Sequence, residues 1–292
     1  YGEHDSSRVE YITTTMQAIR SVRTTRGEVR RADVSAPPLT LEDLDRLRQA
    51  GLGTYHVLQE TYHRPTYEWH HKPDTLKGHY LWRLYAHHRA RAAGLVDVAG
   101  GVLLGLYDYC FEAVALLLHA AELARRFGGN GLCAISLPRL SSPSSSASRF
   151  PHRVTDEQLK QLIAVMRLAV PYTDLVLTDR EPAALRRELF DLGITQLEVG
   201  TNLCNGHAQE RTAGWRPHQL LQEVRGFDEL VGELIGQGLI PSFCSAGSHC
   251  GRLGSELVGL TRARMIHHGT PLGDEIETML VGIADRDPGE VA

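Results

Sequence analysis

The sequence predicts an α/β protein built on a parallel sheet, and three observations carry that reading. First, an amphipathic helix ends at a glycine and an apolar run follows at once in five places. These are Ala50-Gly51, Ala93-Gly94, Phe127-Gly128, Leu192-Gly193 and Gln237-Gly238. Glycine enters the left-handed position after a helix at little cost, and a short, uniformly apolar run is a strand buried on both faces. Second, six strand candidates fall at roughly 29–34, 54–60, 98–104, 133–137, 174–179 and 194–199, each followed by a loop and usually a helix. Neighbouring parallel strands need such a crossover. Third, a (β/α)8 barrel of ~250 residues spends about 30 per unit, so six units are most of a barrel. An open doubly wound sheet is the other architecture these units allow.

The elements follow in order. A helix over roughly 7–22 precedes the first strand, as though an earlier strand lay before it. Thr40 caps a helix carrying Leu41, Leu44 and Leu47. Thr54–His71 reads TYHVLQETYHRPTYEWHH: an apolar strand ending at Gln59-Glu60, then a loop crowded with Tyr62, His63, Tyr67, Trp69, His70 and His71. Ser141–Ser148, SSPSSSAS, is a low-complexity loop with too little apolar content to pack. Thr155 with Gln158 forms a capping box ahead of Leu159, Leu162, Ile163 and Met166, and Pro182 suits the first turn of another helix. After Gly238 the repeat gives way to PSFCSAGSHCGRLG and two helices near 253–263 and 273–283, which read as an appended cap. The expected division is a barrel over 1–200 and a cap over 201–292.

Composition narrows the function. A chain of 292 residues, 42% hydrophobic, can bury one large core. A net charge of −4 without long basic runs argues against nucleic-acid binding, and no run approaches the length of a membrane span. Five scattered cysteines make no disulfide framework and point to a reduced, cytoplasmic setting. The chain begins at Tyr1 rather than Met, which leads to the expectation of an N-terminally truncated piece.

In a parallel barrel the chemistry sits at the C-terminal ends of the strands. Those ends bring Glu60, Gly105 with Tyr107 and Asp108, Ser136 with Arg139, and Thr178 with Arg180. Two arginines and two carboxylates at one mouth suit a zwitterionic ligand such as an amino acid, the arginine forking onto the carboxylate. Ion pairs tying loops together are the alternative. Glycines at 101 and 105 would let a flat ring approach the backbone, or let helix and strand pack closely. His87-His88 lies in a charged helical stretch and is expected at the surface, and none of the 15 histidines has zinc-site spacing. Cys110 and Cys133 fall on apolar elements and are expected in the core; Cys204 lies in a loop. Cys244, His249 and Cys250 are possible metal ligands.

Ordered segments along nearly the whole chain carry a family resemblance. They include Gly2-Glu3-His4, QETYHRPTY at 59–67, GVLLGLYDY at 101–109 and ISLPRL at 135–140. RLAVPYTDLVLTDRE at 167–181, GITQLEVG at 193–200 and GLIPSFCSAGSHCGRLG at 238–254 follow. In these the chain resembles the radical S-adenosylmethionine (SAM) tyrosine lyases, the HydG/ThiH or 2-iminoacetate synthase family, its tail leaning to the [FeFe]-hydrogenase maturase type. The resemblance implies a radical SAM barrel, here strands three to eight, with the cap of biotin and thiamine synthesis-associated domains. It implies a lyase that cleaves the Cα–Cβ bond of tyrosine to dehydroglycine and p-cresol, using SAM, a [4Fe-4S] cluster and an electron donor such as ferredoxin or flavodoxin.

By the same resemblance Glu3 stands where the family holds the SAM amino group, and Glu60 and Tyr62 lie in the motif facing SAM. Gly101, Leu103 and Gly105 lie along the adenine, with Tyr107 beyond them. Ser136 and Arg139, with Arg180, belong to the motifs that clamp carboxylates of SAM or substrate. Three features depart from the family pattern. No CxxxCxxC is present, the family placing it upstream of the segment at which this chain begins. At the auxiliary-cluster positions of the maturase tail stand Cys244, Gly247 and Gly269, and Cys250 reaches a ligand position only after a loop shift. This argues against an auxiliary cluster and against release of CO and cyanide. Ser141–Ser148 replaces an arginine-containing loop. A tryptophan lyase of the same family and a non-catalytic remnant are the alternative functions.

Overall fold

The computed structural model describes residues 8–25, 27–29, 31–129, 131–140, 151–178, 181–198 and 227–241. Helix α1 (Val9–Ser21) leads into a small antiparallel hairpin, β1 (Arg23–Thr24) and β2 (Gly27–Glu28). The main sheet then begins with β3 (Val34–Ser35), α2 (Leu41–Gln49) and β4 (Thr54–His56). It continues through α3 (Arg64–His70), α4 (Tyr80–Leu84), α5 (Ala86–Ala92), β5 (Asp97–Gly101) and α6 (Tyr109–Phe127). Strand β6 (Ala134–Ser136), α7 (Asp156–Ala169), β7 (Asp174–Leu177), α8 (Ala183–Asp191) and β8 (Gln196–Leu197) complete it, and α9 (Phe227–Gly236) follows.

The six strands β3 to β8 form one sheet in sequential order, every pair parallel. A doubly wound sheet reverses its strand order at a switch point; this one does not, and the order is that of a barrel. The five junction glycines, 51, 94, 128, 193 and 238, all take positive φ, between 72° and 114°. Thr40 accepts the Asp43 N–H, and both halves of the Thr155–Gln158 capping box are made. One apolar cluster runs from Ile12 and Met16 on α1 through Leu44, Val98, Leu116 and Ile135 to Leu189 on α8. At the N-terminal end of the strands Arg31 ties the sheet together. Its guanidinium pairs with Asp33 and Asp97 and donates to the Thr54 hydroxyl.

Four expectations need correction. The first strand lies at 34–35 rather than 29–34, because the preceding residues form the hairpin and its link to the sheet. The aromatic segment after Tyr62 is not all loop: Arg64–His70 is helical, started by Pro65, whose missing N–H costs nothing in a first turn. Tyr67 is buried there, its hydroxyl donating to the Lys77 carbonyl, whereas Trp69 stays exposed. His87 is buried rather than solvated, its Nε2–H donating to the Ala99 carbonyl at 3.0 Å, and His88 is half-buried. A charged stretch still turns one face to the sheet, and residue 87 is on it. Cys110 is exposed, on the outer side of α6; Cys133 is buried as expected. Ser141–Ser148 and the two helices expected after residue 250 lie outside the described residues.

Candidate active site

The C-terminal ends of β4, β5 and β6 are continued by backbone pairing past the regular strands. Gln59 N–H donates to Gly101 O at 2.9 Å and Leu103 N–H to Glu60 O at 2.8 Å. Leu104 N–H donates to Pro138 O and Leu140 N–H to Leu104 O, both at 2.8 Å. Glu60, Gly101, Leu103, Gly105, Ser136 and Arg139 are thereby brought onto one sheet edge. At Gly101 the reason for glycine is steric. An added Cβ would overlap the Ser136 carbonyl oxygen and lie 2.8 Å from Leu58 Cδ2, so close packing of β5 on β6 accounts for the residue. At Gly105 φ is 106° and a Cβ would press on Leu140.

Glu60 is the centre of the edge. It is the non-glycine residue with positive φ (71°) among the described residues. That conformation costs roughly 1–2 kcal/mol and persists only where surrounding contacts enforce it. Its carboxylate meets His71 Nε2 at 2.7 Å, Arg83 Nη2 at 3.0 Å and Lys77 Nζ at 3.1 Å. Burial works to raise its pKa, but the hydrogen bond from His71 and the charges of Arg83 and Lys77 outweigh burial and hold it down at about 2. Glu60 is therefore an ionised acceptor at any ordinary pH. Arg83 is itself buried and braced by the Leu58 carbonyl at 2.7 Å, while Lys77 is partly exposed.

The residues that follow Glu60 are held by α6. The Glu112 carboxylate is fully buried and accepts the Tyr62 N–H at 2.8 Å and the Thr61 hydroxyl. Tyr80 donates to the Tyr62 carbonyl at 2.8 Å, and the buried Tyr62 hydroxyl shares a hydrogen bond of 2.8 Å with His119 Nδ1. Behind it His119 stacks on His88 and meets His87 edge-on. On the open side His63 stacks flat on Tyr107, centroids 3.6 Å apart, with Phe111 against both and His152 5.0 Å from Tyr107.

The remaining expected site residues divide. Arg139 forks onto Glu181 at 2.9 and 2.6 Å, meets Asp156 at 2.6 Å and donates to the Val154 carbonyl, so its guanidinium ties loops together. Asp108 caps α6 by accepting the Phe111 N–H. Glu3, Arg180, Cys244 and Cys250 lie outside the described residues, as do Cys204 and His249. Glu112 and His119 were not singled out from the sequence. The available signal was a carboxylate and an imidazole seven residues apart, two helical turns, on the buried face of an otherwise apolar helix.

A family-implied SAM and iron–sulfur cluster can be checked against these side chains. An ionised strand-end carboxylate with one exposed, displaceable partner fits the ammonium of SAM or an amino acid. The described cysteines do not fit a cluster: Cys110 is exposed on α6, and burial pushes the Cys133 thiol well up, away from the thiolate a metal needs. Among the described residues no group of three potential ligands could hold a metal ion.

A sequential parallel sheet with an ionised carboxylate at its C-terminal edge defines a barrel-type α/β protein with a strand-end site. Residues 133–240 match the Biotin and Thiamin Synthesis associated domain. The chain is 29% identical over 230 residues to 2-iminoacetate synthase of Escherichia coli K12, covering 75% of this chain and 58% of that protein. It superposes on the crystal structure of HydG, a maturase of the [FeFe]-hydrogenase, with TM-score 0.75 and 32% identity over 97% of this chain and 71% of that one. The HydG of Carboxydothermus hydrogenoformans gives TM-score 0.69 and 28% identity, covering 97% and 65%. The chain belongs to the HydG/ThiH-like radical SAM family. It spans less than two thirds of the length of the 2-iminoacetate synthases it matches.

Proposed function

We propose that the chain is the barrel region of a radical SAM lyase that cleaves the Cα–Cβ bond of tyrosine to dehydroglycine (2-iminoacetate) and p-cresol. The observation that carries this reading is Glu60, a carboxylate kept ionised at the strand-end edge by His71, Arg83 and Lys77. An amino-acid ammonium would take the place of Lys77, the most exposed of the three basic side chains on Glu60. Tyr107, stacked on His63, is the proposed aromatic contact, with Tyr62 buried behind it, and Glu3 and Arg180 are the proposed further contacts to SAM or substrate. When bound, SAM and a reduced [4Fe-4S] cluster supply the hydrogen-abstracting radical; the residues described here bind, orient and exclude water. An electron donor of the ferredoxin or flavodoxin type and a cytoplasmic, reducing setting are part of the proposal. Among the described residues no helix is long and apolar enough to cross a membrane. A barrel over 1–200 and a cap over 201–292 are proposed from where the βα repeat stops; the associated-domain match crosses that boundary.

Gly247 and Gly269, where the maturase tail has cysteines, support a reaction that ends at dehydroglycine without making CO or cyanide. The same two glycines favour tryptophan as the second candidate substrate. Anaerobic turnover of the full-length protein with each amino acid tests both readings. p-Cresol from tyrosine is the expected product, an indolic acid from tryptophan would favour the alternative, and neither product would overturn the lyase assignment.

A further inference from the structure

Glu60 occupies a backbone conformation that an L-residue adopts only under constraint, and the nearest constraint comes from a different element. Glu112 sits in the first turn of α6, fully buried, with no cation paired to it among the described residues. A carboxylate placed there without a counter-charge is costly unless its lone pairs are used. They are used on the two residues after Glu60: one oxygen accepts the Thr61 hydroxyl, the other the Tyr62 N–H. Thr61 Oγ1 passes the constraint on by accepting the His63 N–H at 3.1 Å. Seven residues further along the same face, His119 fixes the Tyr62 hydroxyl. Burial raises the Glu112 pKa, with the hydrogen bonds from Thr61 and the backbone of Tyr62 and His63 opposing it.

We infer that Glu112 is a positioning residue: by gripping Thr61 and Tyr62 from α6 it holds the strained turn that presents the Glu60 carboxylate to the ligand. The inference deepens the proposed function and rests on it for the identity of the ligand alone. Glu112→Ala removes both acceptors. Glu112→Gln keeps one oxygen for the Tyr62 N–H, and its amide can donate to Thr61, whose hydroxyl also accepts. Leu116→Ala, one turn along the same helix and in the core, is the control for general destabilisation.

The test has two readouts in the full-length protein. In the ligand-free state, amide hydrogen exchange of residues 59–63 is expected to quicken at least tenfold in Glu112→Ala relative to residues 156–169. It should stay within threefold of wild type in Glu112→Gln. In turnover, Glu112→Ala is expected to raise the KM for SAM about tenfold with a smaller change in kcat, whereas Leu116→Ala leaves KM unchanged. Should Glu112→Ala not fold, Thr61→Val, which removes the donor to Glu112 and the acceptor of the His63 N–H, is expected to shift both readouts in the same direction by a few-fold. The inference is overturned if exchange at 59–63 is unchanged, or if Leu116→Ala reproduces both effects. Absence of turnover in the wild type would count against the proposed function, while the exchange measurement would still decide the role of Glu112.

Discussion

Gly101→Ala is expected to destabilise the protein by about 3 kcal/mol or more, the upper end of what forced overpacking costs. The methyl group would have to occupy the position of the Ser136 carbonyl oxygen, which is backbone and cannot swing aside as a side chain can. Moving it means prising β6 from β5 where Gly101 pairs with Ser136. Gly232, in α9, is the internal control: an added Cβ there meets nothing within 4 Å. Gly232→Ala is therefore expected to be neutral or to stabilise by roughly 0.5–1 kcal/mol through helix propensity. Urea midpoints of the two variants decide the matter. A Gly101→Ala midpoint equal to wild type would contradict the steric account of this glycine.

Acid is expected to weaken the fold through two buried imidazoles. Burial, then the opposing hydrogen bond to Ala99 and the charges of His88 and Arg83, set the His87 pKa down at about 4. Burial, with His87 and His88 nearby, takes His119 to about 2. In the unfolded chain both would take up a proton near pH 6.5. Between pH 6.5 and about 4 the unfolded state thus binds more protons, and stability falls as pH falls. At pH 4.5 the two groups together amount to a loss of about 5 kcal/mol relative to pH 7. For His87, whose Nε2–H is held by the Ala99 carbonyl, the proton would have to go to Nδ1, a buried nitrogen without a hydrogen-bond partner among the described residues. His87→Gln keeps an N–H for Ala99 without a titrating group. Its unfolding free energy should depend on pH about half as steeply as wild type over this window. Equal slopes in the two proteins would refute the assignment.

The parallel sheet was legible because its signal is local and repeated. Each junction glycine marks a helix end, and the capping pairs at Thr40 and Thr155 are short-range chemistry that tertiary structure had no reason to override. The strand-end rule also placed Glu60, Gly105, Ser136 and Arg139 on one edge from sequence order alone. What it could not supply was each side chain's partner. Arg139 is spent on Glu181 and Asp156, 42 and 17 positions along the chain, and nothing local announces such a pair. His87 illustrates the same limit: composition marks its helix as charged, but burial depends on which way one residue turns toward β5. Glu112 was hidden because a glutamate in the first turn of a helix has an ordinary explanation, the helix dipole, and its partners lie some fifty residues earlier.

The account centres on the Glu60 carboxylate as the ligand's anchor, and equilibrium binding of SAM to the full-length protein tests that most directly. A charge-assisted hydrogen bond is worth about 1.5–3 kcal/mol, so Glu60→Gln is expected to weaken SAM binding roughly ten- to a hundredfold. The melting temperature of the variant, measured beside it, separates this loss from unfolding. A folded Glu60→Gln protein that binds SAM as tightly as wild type would contradict the account.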